Sequence, residues 1–185
     1  PRHVSLAAAR DLAARVEARA RKVALVVDAD DAAIASIVDR LSPDLLQLHG
    51  RETPARAAAI RARFGLPLVR ALGVATRADL DAAGAFAPHV DYLLLDARPP
   101  PQATRPGGLG ATFDWTIVEN WRAPAPWLLS GGLTPENVGA ALAATGAPGV
   151  DVSSGVERAP GVKDAALIRA FIAAARALSS RSRKG

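Results

Sequence analysis

Cysteine is absent from this 185-residue chain, and no apolar run reaches the length of a membrane-spanning helix. The lack of cysteine excludes disulfides, cysteine-ligated metal sites and a thiol nucleophile within these residues. The first twenty residues carry charges throughout, unlike the apolar core of a signal peptide. We therefore expect a soluble, cytoplasmic protein with no membrane partner.

Lysine is also scarce, so arginine supplies nearly all of the positive charge. The net charge is +5 at pH 7, from 23 basic and 18 acidic side chains. Apart from the tail at 181–185, the basic residues are spread along expected helix faces, which argues against a nucleic-acid groove. An anionic small molecule is the partner that this charge favours.

What the chain does contain is an alternation of short apolar runs and alanine-rich segments with helical spacing. Strands without in/out alternation, each followed by a helix, are typical of a parallel sheet covered by helices. The expected strands begin at Val23, Leu45, Pro67, Tyr92, Pro126 and Gly149. The expected helices lie at 5–20, 31–41, 54–64, 76–87, 114–121, 135–145 and 164–178.

This rhythm suits either a (β/α)8 TIM barrel or an open, doubly wound sheet. No Gly-x-Gly-x-x-Gly follows the first strand, which weakens the dinucleotide-binding alternative. The length and the 50% hydrophobic content suit one domain over 1–185. We predict an α/β fold, a (β/α)8 TIM barrel of which six strands, the third to the eighth, are visible. The first strand, first helix and second strand are expected to be missing from the sequence.

Polar residues follow the expected strands, at the ends where such barrels assemble their sites. Gly131 and Gly132 let a backbone approach a ligand closely, while Ser153 and Ser154 offer hydroxyl and N–H groups to an anion. Taken singly, either motif is explained by a tight turn or a helix cap. On consecutive strands they favour a phosphate site. The other polar residues at strand ends are Asp28, His49, Asp96, Ser130 and Asp151.

Six motifs are spread along the whole chain in a characteristic order. They are "PRHVSL" at 1–6, "LLQLHGRE" at 45–52, "YLLLDA" at 92–97, "GGLGATFDW" at 107–115, "LSGGLTPENV" at 129–138 and "VDVSSGVERAPGVKD" at 150–164. The last two are highly specific in this order and spacing. By these motifs the sequence resembles the phosphoribosylanthranilate isomerase family of tryptophan biosynthesis.

The resemblance implies an Amadori rearrangement that needs no cofactor and no metal. The aminoaldose N-(5-phosphoribosyl)anthranilate becomes 1-(o-carboxyphenylamino)-1-deoxyribulose 5-phosphate, so the partner is a small phosphosugar. A general acid protonates the furanose ring oxygen, and a general base then removes the C2 proton. Asp96 matches the family's general acid, and its place after a buried run suits proton donation. The alternative is that Asp96 caps a turn or pairs with Arg98.

The resemblance also implies a set of binding residues. Arg2 matches an arginine suited to bidentate contact with the anthranilate carboxylate, although an arginine near a terminus is otherwise simply solvated. His49 could instead be a turn residue, and Asp151 could instead hold its loop. The substrate-binding matches are Gln47, His49 and Asp151, and the phosphate cradle matches are Gly131, Gly132, Ser153 and Ser154.

Two departures from the family pattern accompany these matches. The family's general base is a cysteine on its first strand, which this sequence lacks, and the simplest hypothesis is that the sequence begins after that strand. Leu109 stands where the family more often has a small hydroxyl residue, in an expected rim loop.

Two other functions stay open. Another phosphosugar barrel, such as an indole-glycerol-phosphate synthase or a histidine-pathway isomerase, is disfavoured because Lys22 and Lys163 lie off the expected strand ends. A non-catalytic phosphosugar-binding domain is the alternative that the missing base supports. The sequence leaves both a monomer and a homodimer possible.

Overall fold

A parallel five-stranded sheet forms the centre of the computed structural model, which describes residues 2–16, 19–97 and 114–179. The strands neighbour one another in chain order, without the reversal of a doubly wound dinucleotide-binding sheet. They are β1 (Val23–Val26), β2 (Leu45–Leu48), β3 (Leu68–Val74), β4 (Tyr92–Ala97) and β5 (Trp127–Leu129).

Helices alternate with these strands, as the apolar spacing predicts. The α-helices of the described residues are α1 (Leu6–Ala14), α2 (Asp31–Leu41), α3 (Pro54–Phe64), α4 (Ala82–Phe86), α5 (Val138–Thr145) and α6 (Ala165–Ser179). Short 3₁₀ turns cover Arg77–Asp81, Ala87–His89, Trp115–Val118 and Ser154–Val156. None of the helices in the described ranges is long and apolar enough to cross a bilayer.

The limits of α2 and α3 agree with the prediction because both helices have explicit caps. The Asp30 carboxylate accepts a backbone N–H at the start of α2. Thr53 Oγ1 accepts the N–H of Arg56 at 3.2 Å, and Pro54 occupies the first turn of α3. Gly65 ends α3 in the left-handed region, with φ of 65°.

Four other helices are shorter than their apolar spacing predicts. The helix predicted at 5–20 ends at Ala14. The segment 76–87 divides into 3₁₀ turns and the five residues of α4. The segment 114–121 holds one 3₁₀ turn, which ends before Asn120 takes a left-handed conformation with φ of 56°. The helix predicted at 135–145 begins only at Val138, after a turn.

The prediction of a sixth regular strand from Gly149 is wrong. Val150 forms only a single parallel bridge with Leu129, the last residue of β5. Pairing does not extend further because β5 is three residues long and the chain enters a 3₁₀ turn at Ser154. In the described residues the parallel sheet therefore has five strands.

An antiparallel hairpin that the sequence pattern does not predict follows this segment. It comprises β6 (Glu157–Ala159) and β7 (Val162–Lys163), and Gly161 takes a φ of 82° in its turn. The register places Glu157 opposite Lys163. The hairpin thereby returns the chain to the end of the sheet where the predicted site lies.

The two faces of the sheet bury different sets of side chains. One face packs against the helices through the large core, which includes Leu93 and Leu95 of β4. The other face carries a small apolar cluster of Leu45, Val69, Ala71 and Leu94. Successive side chains of a strand point to opposite faces. Continuing two residues at a time from the small cluster therefore leads to Gln47, His49 and Asp96.

Candidate active site

Three polar side chains meet at the carboxyl ends of β2 and β4. The side-chain amide of Gln47 lies 3.1 Å from Nδ1 of His49. The other ring nitrogen of His49, Nε2, lies 3.6 Å from Oδ2 of Asp96. Gln47 and Asp96 are both buried. The structure thus brings together three of the predicted site residues.

A second carboxylate, that of Asp151, belongs to the same electrostatic group. The hydroxyl of Ser130 donates to Oδ2 of Asp151 at 3.0 Å. Burial raises the pKa of Asp151 above its ordinary value, and the negative charge of Asp96 adds to this effect, while the bond from Ser130 opposes it. Asp151 is thus held by a serine hydroxyl, whereas Asp96 faces the imidazole of His49, although both carboxylates lie at the same end of the sheet.

The two segments predicted to cradle phosphate are in direct contact. Gly131 has a φ of 91°, and a Cβ there would come within 2.5 Å of the backbone nitrogen of Ala97. A Cβ on Gly155 would collide with the carbonyl oxygen of Leu133. Only glycine permits both approaches. The Gly131–Gly132 turn and the segment that follows Ser154 are accordingly held against each other.

Lys163, on strand β7 of the hairpin, holds the segment that contains Ser153. Its Nζ donates to the carbonyl oxygen of Ser153 at 2.7 Å and lies 3.4 Å from the Ser153 hydroxyl. The same ammonium donates to Oε1 of Glu157 at 2.8 Å. Lys163, which the sequence places off the strand ends, therefore reaches the predicted phosphate cradle through the fold of the hairpin.

Arg2 lies at this end of the molecule and is paired with Glu157. Its Nε donates to Oε1 at 2.9 Å and its Nη2 to Oε2 at 2.8 Å. The Glu157 side chain is 4% exposed, whereas that of Arg2 is 34% exposed. The arginine predicted to meet a substrate carboxylate thus already holds a carboxylate of the protein.

The sequence reasoning missed a buried ion pair that fixes the backbone around His49. Nη1 of Arg70 donates to Glu52 at 2.7 Å and to the carbonyl oxygen of Leu48 at 3.2 Å, and Nη2 donates to that of Gly50 at 3.0 Å. Burial lowers the pKa of Arg70, and Glu52 opposes that effect. A charged residue inside the apolar run "PLVRALGV" was the available signal, because a buried arginine requires partners.

One predicted strand-end residue, Asp28, lies apart from this cluster. Asp28 is paired with Arg51, since Nε of Arg51 lies 3.2 Å from Oδ2 of Asp28. Leu109 and most of the expected rim loop lie outside the described residues. Within the described ranges, no group of three or more histidine, aspartate or glutamate side chains is placed to hold a metal ion.

The Glu157 pair predicts an acid-dependent loss of stability. Hydrogen bonds from Arg2 chiefly, and from Lys163 and the N–H of Gly161, hold the pKa of Glu157 well below its usual range. Because the pKa of Glu157 is lower in the folded state than in the unfolded state, the ionised carboxylate stabilises the fold at pH values above the unfolded-state pKa. This stabilisation is lost as the pH falls through and below about 4.5. We expect Glu157→Gln to lower the free energy of unfolding by about 1.5–3 kcal/mol at pH 7.

Urea unfolding of both proteins from pH 7 to pH 3 measures this contribution. The difference between wild type and Glu157→Gln should shrink as the pH falls below about 4.5. A difference that stays constant across this range would mean that the ionised carboxylate does not stabilise the fold.

Comparisons with known proteins identify similar sequences and structures. A family model described as N-(5'phosphoribosyl)anthranilate (PRA) isomerase matches residues 1–174. The N-(5'-phosphoribosyl)anthranilate isomerase of Rhodopseudomonas palustris (strain BisB5) is 59% identical over 177 residues, which are 96% of this chain and 81% of the relative. The crystal structure of phosphoribosyl anthranilate isomerase from Thermotoga maritima is similar with a TM-score of 0.83 at 32% identity, covering 95% of this chain and 82% of that one.

A second solved structure adds a ligand. It is a phosphoribosyl anthranilate isomerase in complex with reduced 1-(o-carboxyphenylamino)-1-deoxyribulose 5-phosphate. This structure has a TM-score of 0.80 at 29% identity, and the match covers 95% of this chain and 81% of that one. A small-molecule phosphosugar is therefore the class of ligand bound by a structurally similar protein.

These findings place the chain among the α/β enzymes built on a parallel sheet. More narrowly, the chain belongs to the N-(5'-phosphoribosyl)anthranilate isomerase family, as its motifs predict. The isomerase class and the function in tryptophan biosynthesis that the resemblance implied are confirmed with this membership.

Proposed function

We propose that the polar residues at the carboxyl ends of the sheet perform the Amadori rearrangement of N-(5'-phosphoribosyl)anthranilate, with Asp96 as general acid. The observation that carries this proposal is the position of Asp96. It is buried at the end of β4, and its Oδ2 lies 3.6 Å from Nε2 of His49. It also lies close enough to Asp151 for the two charges to interact. One oxygen of Asp96 thus faces His49, and the other is the proposed donor to the substrate.

The reaction opens the sugar ring and then moves a proton from C2 to C1. Asp96 gives its proton to the furanose ring oxygen while the bond from that oxygen to C1 breaks, so that the substrate nitrogen and C1 form an iminium. A base then removes the proton from C2, the C2–H electron pair forms the C1–C2 double bond of an enolamine, and the iminium electron pair returns to the nitrogen. Addition of a proton to C1, with loss of the proton of the C2 hydroxyl, yields the ketose. No electrons are gained or lost, so the chemistry requires no redox cofactor.

His49 orients the acid in this scheme. In this scheme Nδ1 accepts from the Gln47 amide, so the ring N–H is at Nε2, which faces Asp96. After Asp96 has released its proton, this N–H stabilises the resulting carboxylate. Asp151 is held by Ser130 at the same end of the sheet, where it can contact the substrate hydroxyls or the ring-opened amine.

The two ends of the substrate have separate proposed binding groups. The phosphate lies beside the place where two segments touch. One segment contains Gly131 and Gly132, and the other contains Ser153 and Ser154. The anthranilate carboxylate lies on the end-on edge of the Arg2 guanidinium, formed by Nη1 and Nη2, since Glu157 occupies the other edge. A guanidinium has five N–H donors, and these two bonds use two of them.

A change at Ser153 tests the phosphate end. Ser153→Asp places a negative charge where a dianionic phosphate is expected, and we predict about a fivefold or larger rise in KM, because like charges at close range cost about 1 kcal/mol or more. Ser153→Ala removes the hydroxyl without adding charge and is the matched control, with a smaller expected effect. An unchanged KM in Ser153→Asp would place the phosphate elsewhere.

A second candidate function is a non-catalytic phosphosugar-binding domain. The observation that favours it is the absence of cysteine, since the family resemblance implies a cysteine as general base. Such a domain would retain the phosphate and carboxylate contacts and lack the second proton transfer. Binding alone therefore does not separate the two functions, whereas turnover does.

Several finer features belong to the same proposal. The sheet is proposed to form part of a (β/α)8 barrel in a single domain over 1–185, acting as a monomer or homodimer. Neither nucleic acid nor a cofactor takes part. The cytoplasm is the proposed location, because a charged phosphosugar does not cross a bilayer unaided.

The experiment that tests the proposed function has two readings. Freshly generated phosphoribosylanthranilate is mixed with the purified protein, and the loss of substrate fluorescence is followed. In parallel, calorimetry measures binding of reduced 1-(o-carboxyphenylamino)-1-deoxyribulose 5-phosphate. Turnover with binding supports the isomerase, and binding without turnover supports the binding domain. The absence of both would refute the proposed site at the carboxyl ends of the sheet.

A further inference from the structure

The Glu157 carboxylate is saturated with hydrogen-bond donors. Its Oε1 accepts from Nε of Arg2 at 2.9 Å and from Nζ of Lys163 at 2.8 Å. Its Oε2 accepts from Nη2 of Arg2 at 2.8 Å and from the N–H of Gly161 at 3.1 Å. A carboxylate offers about four acceptor positions, so all of them are occupied. An almost fully buried carboxylate with this set of partners has a single well-defined orientation.

The partners of Glu157 belong to opposite ends of the proposed substrate. Arg2 is the residue proposed for the anthranilate carboxylate. Lys163 donates to the carbonyl oxygen of Ser153, which lies in the proposed phosphate cradle. One carboxylate therefore joins the group that binds one end of the ligand to the group that shapes the other end.

The charges show why a neutral residue cannot replace Glu157. Arg2 and Lys163 are two cations on one anion, and their side chains are 34% and 44% exposed. Without the carboxylate, the two cations repel each other and each gains freedom to move into solvent. Binding would then have to immobilise the Arg2 side chain again, which weakens affinity by up to about tenfold for such a side chain.

The geometry points to Glu157 as a positioning residue that sets the distance between the carboxylate-binding arginine and the phosphate-binding loop. It does not touch the substrate and acts through Arg2 and Lys163. This inference rests on the proposed function, since it takes Arg2 and Ser153 as the two ends of the ligand site.

Three variants distinguish this role. Calorimetry with reduced 1-(o-carboxyphenylamino)-1-deoxyribulose 5-phosphate should show about tenfold weaker binding to Glu157→Gln than to wild type. Asp91→Asn is the matched control, because Asp91 also accepts from an arginine through both oxygens and from a backbone N–H, at the other end of the sheet. Its affinity should stay within twofold of wild type. Lys163→Gln keeps the pair of Arg2 with Glu157 and removes the contact with Ser153.

Two fragment probes separate the ends of the site. The affinities for anthranilate alone and for inorganic phosphate alone are measured. Glu157→Gln should lower both affinities, whereas Lys163→Gln should lower the affinity for phosphate and leave that for anthranilate unchanged. A residue that only stabilises the fold would lower the melting temperature without this split, once binding is measured well below that temperature. If Glu157→Gln does not fold, the split in Lys163→Gln still decides the question.

Each outcome has one meaning. A wild-type protein that does not bind the reduced product analogue overturns the proposed function and this inference with it. A wild type that binds, together with unchanged affinity in folded Glu157→Gln or equal losses of both probes in Lys163→Gln, overturns the inference and leaves the proposed function in place.

Discussion

Replacement of Asp96 by asparagine is expected to lower kcat by about 10²–10⁴-fold, while the product analogue binds within a few fold of its wild-type affinity. Asparagine keeps the shape of the side chain but has no acidic proton to give to the ring oxygen. The buried position at the end of β4 allows the amide to occupy the same space. Steady-state fluorescence kinetics and calorimetry on the same preparation measure both quantities.

The control for this change lies at the other end of the same strand. Asp91 immediately precedes β4 and pairs with Arg61, so Asp91→Asn removes a carboxylate from the opposite edge of the sheet. We expect its kcat to equal that of wild type. Full turnover by Asp96→Asn would exclude Asp96 as the acid, and a parallel loss of affinity would indicate that it binds the substrate instead.

A methyl group at Gly155 should have the second large effect. The Cβ of Gly155→Ala would collide with the carbonyl oxygen of Leu133 and would also come within 3.1 Å of the Cα of Thr134. Both neighbours are backbone atoms, which cannot turn aside as a side chain does. Overpacking of this kind costs about 1–3 kcal/mol, and we expect the upper part of that range. Separation of the two segments should also weaken binding of inorganic phosphate about tenfold or more.

Gly84 provides the matched control, because nothing lies within 4 Å of a Cβ built there. Gly84 lies inside α4, where alanine has the higher helix propensity, so Gly84→Ala should leave stability unchanged or raise it by up to about 1 kcal/mol. Urea unfolding and calorimetry compare the two variants. Wild-type stability and phosphate affinity in Gly155→Ala would show that the two segments do not touch.

The features that the sequence predicts well depend on local signals. Thr53, Pro54 and Gly65 mark both ends of α3, and the predicted limits 54–64 are confirmed. The apolar run of β4 is likewise specified within its own residues. Each strand also carries its inward residues at a fixed spacing, so the meeting of His49 with Asp96 follows once the strands are parallel and adjacent.

The features that the sequence does not predict depend on contacts between residues far apart in the chain. The pair of Arg2 with Glu157 joins residues 155 positions apart, and no local pattern specifies it. The contact of Lys163 with Ser153 depends on a hairpin turn whose strands have only three and two residues. The sixth strand is reduced to a bridge because of the shortness of its neighbour, which its own apolar sequence does not reveal.

The alternation of faces along β4 has a consequence for genetics. Leu93 and Leu95 face the helices, whereas Leu94 packs in the small cluster on the other face, to which Asp96, two residues further on, also points. Loss-of-function alleles at Leu93 and Leu95 should act by reducing the amount of folded protein, and growth at low temperature or a second-site stabilising mutation should suppress them. Alleles at Asp96 should leave the protein abundant and resist such suppressors. A single strand would thus carry two kinds of loss-of-function allele at alternating positions, which differ in protein abundance and in their response to suppressors.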